Sequence, residues 1–199
     1  MKDILVATHN QNKLKELKAL LKKFNGINIF SLDEVKACFP VIVEDGKTFR
    51  QNAVKKAVIT SKFFDGLVLA DDSGLEVEAL NGRPGVRSAR FARTKATDNE
   101  NNRKLLKLME KVPKEDRKGK FVCHVALAQS GELLESFEGE IKGYIIDRPR
   151  GKKGFGYDPL FLPEGKDKSF AEMAAADKNR ISHRAMALKL LKNSIDKYL

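Results

Sequence analysis

The chain has 199 residues, 42% hydrophobic and 33% charged, a balance that supports one sizeable core of the ~150–250-residue class and argues against disorder. Its 38 Lys and Arg against 27 Asp and Glu leave a formal charge of +11, which suits a nucleic acid, an anionic membrane or a small polyanionic substrate alike. No run approaches the ~18–20 apolar residues of a membrane span and Ile4–Ala7 is too short for a signal-peptide core, so a cytoplasmic protein without membrane contact is expected.

In chain order, Asp3–Thr8 is a short apolar run with the look of a buried strand, followed by a polar turn through Asn12. Leu14, Leu17, Leu20, Leu21 and Phe24 recur at three- and four-residue spacing, which predicts a helix over Lys13–Phe24 with lysines on its other face. A second helix is expected from Thr48, whose side chain can cap it, with Phe49, Ala53, Ala57 and Val58 as the apolar stripe. Gly66–Ala70 reads as a buried strand running into Asp71-Asp72-Ser73-Gly74. Beyond the loop Asn81–Gly85, a helix capped by Asp98 carries Leu105, Leu106, Leu108 and Met109. Phe121–Ala128 and Leu133–Ile146 read as paired strands joined around Ser130-Gly131. Arg148–Lys168, rich in Gly, Pro and Lys, is predicted as a functional loop. A final helix from about Ser182 buries Ala185, Leu188, Leu191 and Ile195. The pattern predicts an α/β fold with a mixed sheet, and the absence of repeats and flexible linkers predicts a single domain over residues 1–199. Cys38 and Cys123 lack partners at zinc-site spacing and read as two buried thiols acting as small hydrophobes.

Four segments carry candidate chemistry. Thr8-His9-Asn10-Gln11-Asn12-Lys13 is a strand-to-helix turn, where unpaired amides and the positive helix end favour an anion; the alternative is that Asn10 or Asn12 only caps the helix and Lys13 faces solvent. The glycines of a P-loop are absent. Asp71 and Asp72 at the end of a strand repel each other unless a cation or proton offsets them. Magnesium is the natural cation, with Glu44 as a second carboxylate, although a polar turn would also explain the pair. Gly154-Phe155-Gly156-Tyr157-Asp158-Pro159 lets backbone approach a ligand beside an aromatic ring that can stack on a base, or forms an aromatic-anchored surface turn. In Lys178–Arg184, two basic side chains converge at a helix start capped by Ser182; an Arg there can donate to O6 and N7 of a 6-oxopurine, whereas in the plainer reading His183 and Arg184 decorate an exposed turn.

Together these pieces resemble the inosine triphosphate pyrophosphatases. The resemblance rests on Thr8-x-Asn10-x-x-Lys13, on Glu44–Phe49 with Asn52-Ala53, on Asp71–Leu75 followed by Gly82-x-Pro84-Gly85-Val86-x-Ser88-Ala89-Arg90, on Phe155–Pro159 and on Ser182-His183-Arg184. It runs from about residue 3 to 192. It implies an elongated mixed sheet flanked by helices, two lobes with a central nucleotide cleft, and a homodimer. It also implies magnesium-dependent hydrolysis of ITP, dITP and XTP to the monophosphate and pyrophosphate. By the same resemblance, Thr8, His9, Asn10, Gln11, Asn12 and Lys13 hold the phosphates. Glu44 and Asp72 bind the metal, Asp72 is the general base, and Ser73 contacts substrate. Phe155, Gly156, Tyr157, Asp158 and Lys178 enclose the nucleotide with His183 and Arg184 at the base. His9 departs from the small residue often found there. A nucleic-acid-binding module would use the +11 charge, but no zinc-finger, RNP or basic-zipper pattern is present, so no nucleic-acid partner is expected. A non-catalytic nucleotide sensor, or a pyrophosphatase of modified pyrimidine triphosphates, are the remaining rivals.

Overall fold

In the computed structural model, which describes residues 1–198, the first strand, β1 (Lys2–Val6), buries Ile4, Leu5 and Val6 completely. Helix α1 (Gln11–Leu21) starts two residues earlier than its apolar spacing predicts, because Asn10 Oδ1 accepts from the amides of Asn12 (3.0 Å) and Lys13 (3.1 Å). It ends at Leu21 rather than Phe24. Phe24 still reaches the core from the turn, just ahead of Gly26 at φ +73°. The sequence pattern does not single out β2 (Ile27–Ser31), a half-exposed edge strand parallel to β1. Helix α2 (Phe49–Thr60) is capped as expected, with Thr48 Oγ1 accepting from the Gln51 amide at 3.1 Å.

The largest departure is β3 (Leu67–Val77), which pairs in parallel with β1 and runs through Asp71, Asp72, Ser73 and Gly74 instead of ending at Ala70. Helix α3 (Asp98–Met109) is capped one residue earlier than predicted, by a capping box between Thr97 and Glu100. Strands β4 (Lys118–Gln129) and β5 (Glu132–Ile145) form a hairpin through Ser130 and Gly131, both with positive φ as a two-residue turn of this kind requires. The predicted loop Arg148–Lys168 contains the short strand β6 (Phe161–Pro163), antiparallel to β5. Two helices follow, α4 (Ala175–Ile181) and α5 (His183–Lys192); Ala187, Leu188 and Leu191 of α5 are buried, whereas Ala185 is only half-buried. The six strands pair in the order β2-β1-β3-β4-β5-β6, a mixed sheet as predicted.

The chain forms two compact units from interleaved segments: Met1–Asp72, Cys123–Gly139 and Arg184 onward in the first, Ser73–Val122 and Glu140–His183 in the second. In the first unit, alternation along the strands sends Ile4, Val6, Leu67, Leu69, Val125 and Leu127 to one face under the leucines of α1 and α5. Leu5, Val68, Ala70, Ala126 and Ala128 go to the other, where Ala53 and Ala57 of α2 pack closely. The second unit has its own core of Leu75, Leu105, Met109, Ile145, Leu160 and the rings Phe121, Phe161 and Phe170. Phe121 and Phe161 meet edge-on at 4.8 Å.

Candidate active site

The acidic pair of β3 is the centre of the first unit's polar interior. Asp71 is wholly buried, with Lys13 Nζ 3.3 Å and Arg184 Nε and Nη2 each 3.3 Å from its Oδ2. The Arg184 guanidinium, 1% exposed, also pairs through Nη1 with Glu16. Burial alone would raise the Asp71 carboxyl, but Lys13, Arg184 and Lys56 outweigh it and hold the group well below the ordinary carboxylate range. The same neighbourhood fixes Cys123: burial and Asp71 push its thiol up to about 12, so it stays a neutral, inert core residue. Cys38, expected to be buried as well, is exposed, because it lies in the irregular segment between β2 and α2.

Asp72 has different surroundings. Its Oδ2 accepts from Asn52 Nδ2 at 2.8 Å, and Lys13 Nζ lies 3.9 Å from its Oδ1. Burial raises its carboxyl, Lys13 and Lys56 pull it down, Glu44 pushes it up again, and the net displacement is upward. Two adjacent carboxylates thus differ in character, one fixed as an anion and one a better proton acceptor than a surface aspartate.

Helix α2 supplies the connecting side chains. Lys56 Nζ bonds Glu44 Oε1 at 2.6 Å and the Asp71 carbonyl at 2.5 Å. Burial lowers the lysine's affinity for its proton, and Asp71, Glu44 and Asp72 more than restore it. Asn52 Oδ1 accepts the Gly46 amide at 2.8 Å, so one side chain ties the loop carrying Glu44 to Asp72. A Cβ at Gly46 would stand 2.5 Å from that oxygen, which requires glycine there. Lys56 and Glu16 lie outside the sequence motifs, and Asn52 stands in one of them, Asn52-Ala53, without an assigned role. The signal was present in α2: Phe49, Asn52, Ala53, Lys56, Ala57 and Thr60 are its buried residues, a helical stripe in which an amide and an ammonium occupy core positions.

Of the Thr8–Lys13 turn, His9, Asn10, Gln11 and Asn12 are exposed, Thr8 Oγ1 accepts from the Asn10 amide at 3.2 Å, and Asn10 is the helix cap. Lys13 turns inward to the acidic pair rather than to solvent. Glu44 and Asp72 offer hard oxygen donors, and the influence of Glu44 on Asp72 marks them as neighbours. Among the described residues no cluster of three His, Cys, Asp or Glu side chains stands ready for a metal. A carboxylate pair completed by phosphate oxygens and water is the donor set magnesium takes, whereas zinc or calcium would demand more protein ligands.

In the second unit, Ser73 is half-buried on β3. Asp158 and Lys178 form a buried ion pair at 2.5 Å. Asp158 Oδ2 also accepts the Phe155 amide at 2.9 Å, and Lys178 Nζ stands 4.9 Å from the Phe155 ring centroid. The half-buried Phe155 ring is thereby held by its own backbone and by a cation. Tyr157 is 3% exposed and donates its hydroxyl to the Ser88 carbonyl at 2.9 Å, so its ring is part of the core. Gly156 donates its amide to Asp98 at 2.7 Å. His183 is buried and stacks on Phe121 with centroids 4.9 Å apart and planes 10° apart. The predicted residues therefore gather in two sets: Lys13, Glu44, Asp72 and Arg184 in the first unit, and Phe155, Asp158 and Lys178 in the second.

Comparison with known proteins adds three findings. A sequence model of the Ham1 family matches residues 4–194. A dITP/XTP pyrophosphatase of Bacillus licheniformis is 46% identical over 196 residues, covering 98% of this chain and 99% of its own, and one of Thermoanaerobacter pseudethanolicus is 47% identical, covering 98% of each. The solved structure of a HAM1 protein from Coxiella burnetii aligns with a TM-score of 0.87 at 38% identity, over 99% of this chain and all of that one.

Proposed function

The chain belongs to the Ham1 family, and we infer from that membership that it is a nucleoside triphosphate pyrophosphatase. It hydrolyses the non-canonical purine nucleotides ITP, dITP and XTP to monophosphate and pyrophosphate, removing them from the nucleotide pool. The observation that carries this reading is identity of 46% to a dITP/XTP pyrophosphatase across 98% of the chain.

The geometry supports a mechanism by positioning and charge. Water must attack the α-phosphorus in line, the bond from that phosphorus to the bridging oxygen breaks, and pyrophosphate departs with the electron pair. Asp72 takes the proton of the attacking water, and Asn52 fixes its orientation. Glu44 and Asp72 would hold magnesium, which when bound supplies charge neutralisation at the phosphate oxygens. Lys13 and Lys56 contribute positive charge beside the pair without taking part in bond breaking. In the second unit, Phe155 offers a stacking face and Lys178 a buried cation, chemistry suited to a purine base.

The test is product analysis with ITP, dITP, XTP, ATP and GTP. Pyrophosphate release from the first three, far exceeding that from ATP, abolished by chelator and restored by magnesium, is the expected pattern. Orthophosphate as the direct product, or equal hydrolysis of ATP, would overturn the reading, and turnover persisting in chelator would remove the metal from it. We propose further that the protein is a cytoplasmic homodimer, as the resemblance to inosine triphosphate pyrophosphatases implies. Light scattering should then give twice the 22.3 kDa chain mass, and a mass of one chain would refute the dimer.

A further inference from the structure

Beneath helix α2 lies a titratable group that the reaction does not use. His124 of β4 is 7% exposed. Strand alternation puts it on one face with Ala126 and Ala128, which pack in the core with Ala53 and Ala57 of α2 and with Val68 and Ala70 of β3. Neither ring nitrogen has a hydrogen-bond partner among the described residues. Burying both unpaired is unfavourable, and an apolar side chain at this position would avoid it.

Two charged groups bear on the ring, from different elements. Glu138 of β5, whose side chain is 54% exposed, brings Oε2 to 3.5 Å from Nδ1. Arg50 stands in the first turn of α2. The residues that α2 and β3 add on this face, Ala53, Ala57, Val68 and Ala70, carry no charge. Burial lowers the affinity of the imidazole for a proton, Glu138 raises it, Arg50 lowers it again, and the net displacement is downward, so the ring is neutral at neutral pH. Acid reverses the arrangement. An imidazolium carries an N–H on both nitrogens, so it draws the Glu138 carboxylate into a charge-assisted hydrogen bond and repels Arg50. Arg50 shares the first turn of α2 with Asn52, which bonds both the Gly46 amide of the Glu44 loop and Asp72.

We propose that His124 is a pH-sensitive positioning residue: neutral, it lets the first turn of α2 seat over β4 with Asn52 on Asp72, and protonated, it takes up Glu138, repels Arg50 and loosens that turn. The effect on α2 stands on this geometry, and only its consequence for turnover rests on the proposed reaction. Proton NMR of the whole protein should show the His124 ring, identified by its loss in His124→Gln, titrating below the ordinary 6.5. The titration should move lower still in Glu138→Gln and upward in Arg50→Gln. Across it, hydrogen-exchange protection at Asn52 and Ala53 should drop ~10-fold in wild type and hold steady in Arg50→Gln, a surface change that leaves the buried ring in place. ITP turnover should fall more steeply on the acid side in wild type than in Arg50→Gln or His124→Gln, whose acid limbs keep the Asp72 titration alone. Protection at α2 that ignores the ring's titration would overturn the proposal, as would identical acid limbs in wild type and Arg50→Gln. If α2 loosens with the ring but ITP is hydrolysed at no pH, the proposed reaction fails and the switch stands.

Discussion

Asp72→Asn is expected to lower turnover by ~10²–10⁴-fold, the usual worth of a positioned general base, in a protein that remains folded and still binds nucleotide. The asparagine keeps an oxygen that can accept from Asn52 Nδ2, so the link from α2 to β3 survives. It loses the ability to take a proton. Stability should move the other way from activity. The Asp72 carboxyl, 6% exposed, titrates above its ordinary value of 3.8 in the folded protein, through burial first and Glu44 later. A carboxyl raised on folding binds its proton more readily in the folded state, so its ionisation penalises folding increasingly as pH rises from 3.8 through the folded value, and fully at neutral pH. Removing the charge removes that penalty, and Tm should equal or exceed wild type at pH 7. Steady-state pyrophosphate release and a thermal melt of the same preparation decide the matter. Unchanged turnover would dismiss Asp72 as the base, and a fall in Tm would assign the loss to folding.

Arg184→Ala should destabilise the protein by ~3–5 kcal/mol, the cost of breaking a buried ion pair by removing one partner. Asp71 has no exposed surface, and Arg184 meets it with two nitrogens at 3.3 Å while also holding Glu16. Without the guanidinium, Asp71 keeps Lys13 and Lys56 as its remaining cations. The sign of the pH dependence follows from the lowered Asp71 carboxyl. Its stabilisation is present above 3.8 and is lost as pH falls below that value toward the folded one. The gap in Tm between wild type and Arg184→Ala should therefore be widest near neutrality and shrink on acidification below 3.8. Arg184→Lys should recover only part of it, since a single ammonium cannot reproduce the forked contacts. The resemblance assigns Arg184 to the base, and on that role alone the variant would keep its Tm and merely narrow the preference for ITP over ATP. Thermal melts across pH, alongside the substrate ratio, separate the two.

Much of the frame was legible in local pattern. The leucine spacing of α1, the Thr48 cap of α2 and the Ser130-Gly131 turn all depend on residues within a few positions of one another, and each formed in place. Strand β2, strand β6 and helix α4 were not legible, because five, three and seven residues with partial exposure carry too little periodicity. The motifs likewise drew attention to Lys13, Asp72, Phe155, Lys178 and Arg184, but Tyr157, which reads as a residue against a ligand, is tied to Ser88 inside the core.

The sequence by itself therefore determined the types of the longer elements, the mixed sheet and the identity of the charged residues, because caps, turns and amphipathic stripes are short-range properties. Only the tertiary structure decided what those charges do. A strand should end at two carboxylates, and β3 continues through Asp71 and Asp72 because Lys13, Lys56 and Arg184, the last 113 residues away, arrive from three helices to neutralise them. The same convergence separates the pair into a fixed anion and a proton acceptor. No local pattern encodes that difference, because desolvation and Coulomb interactions depend on distance in space and not along the chain.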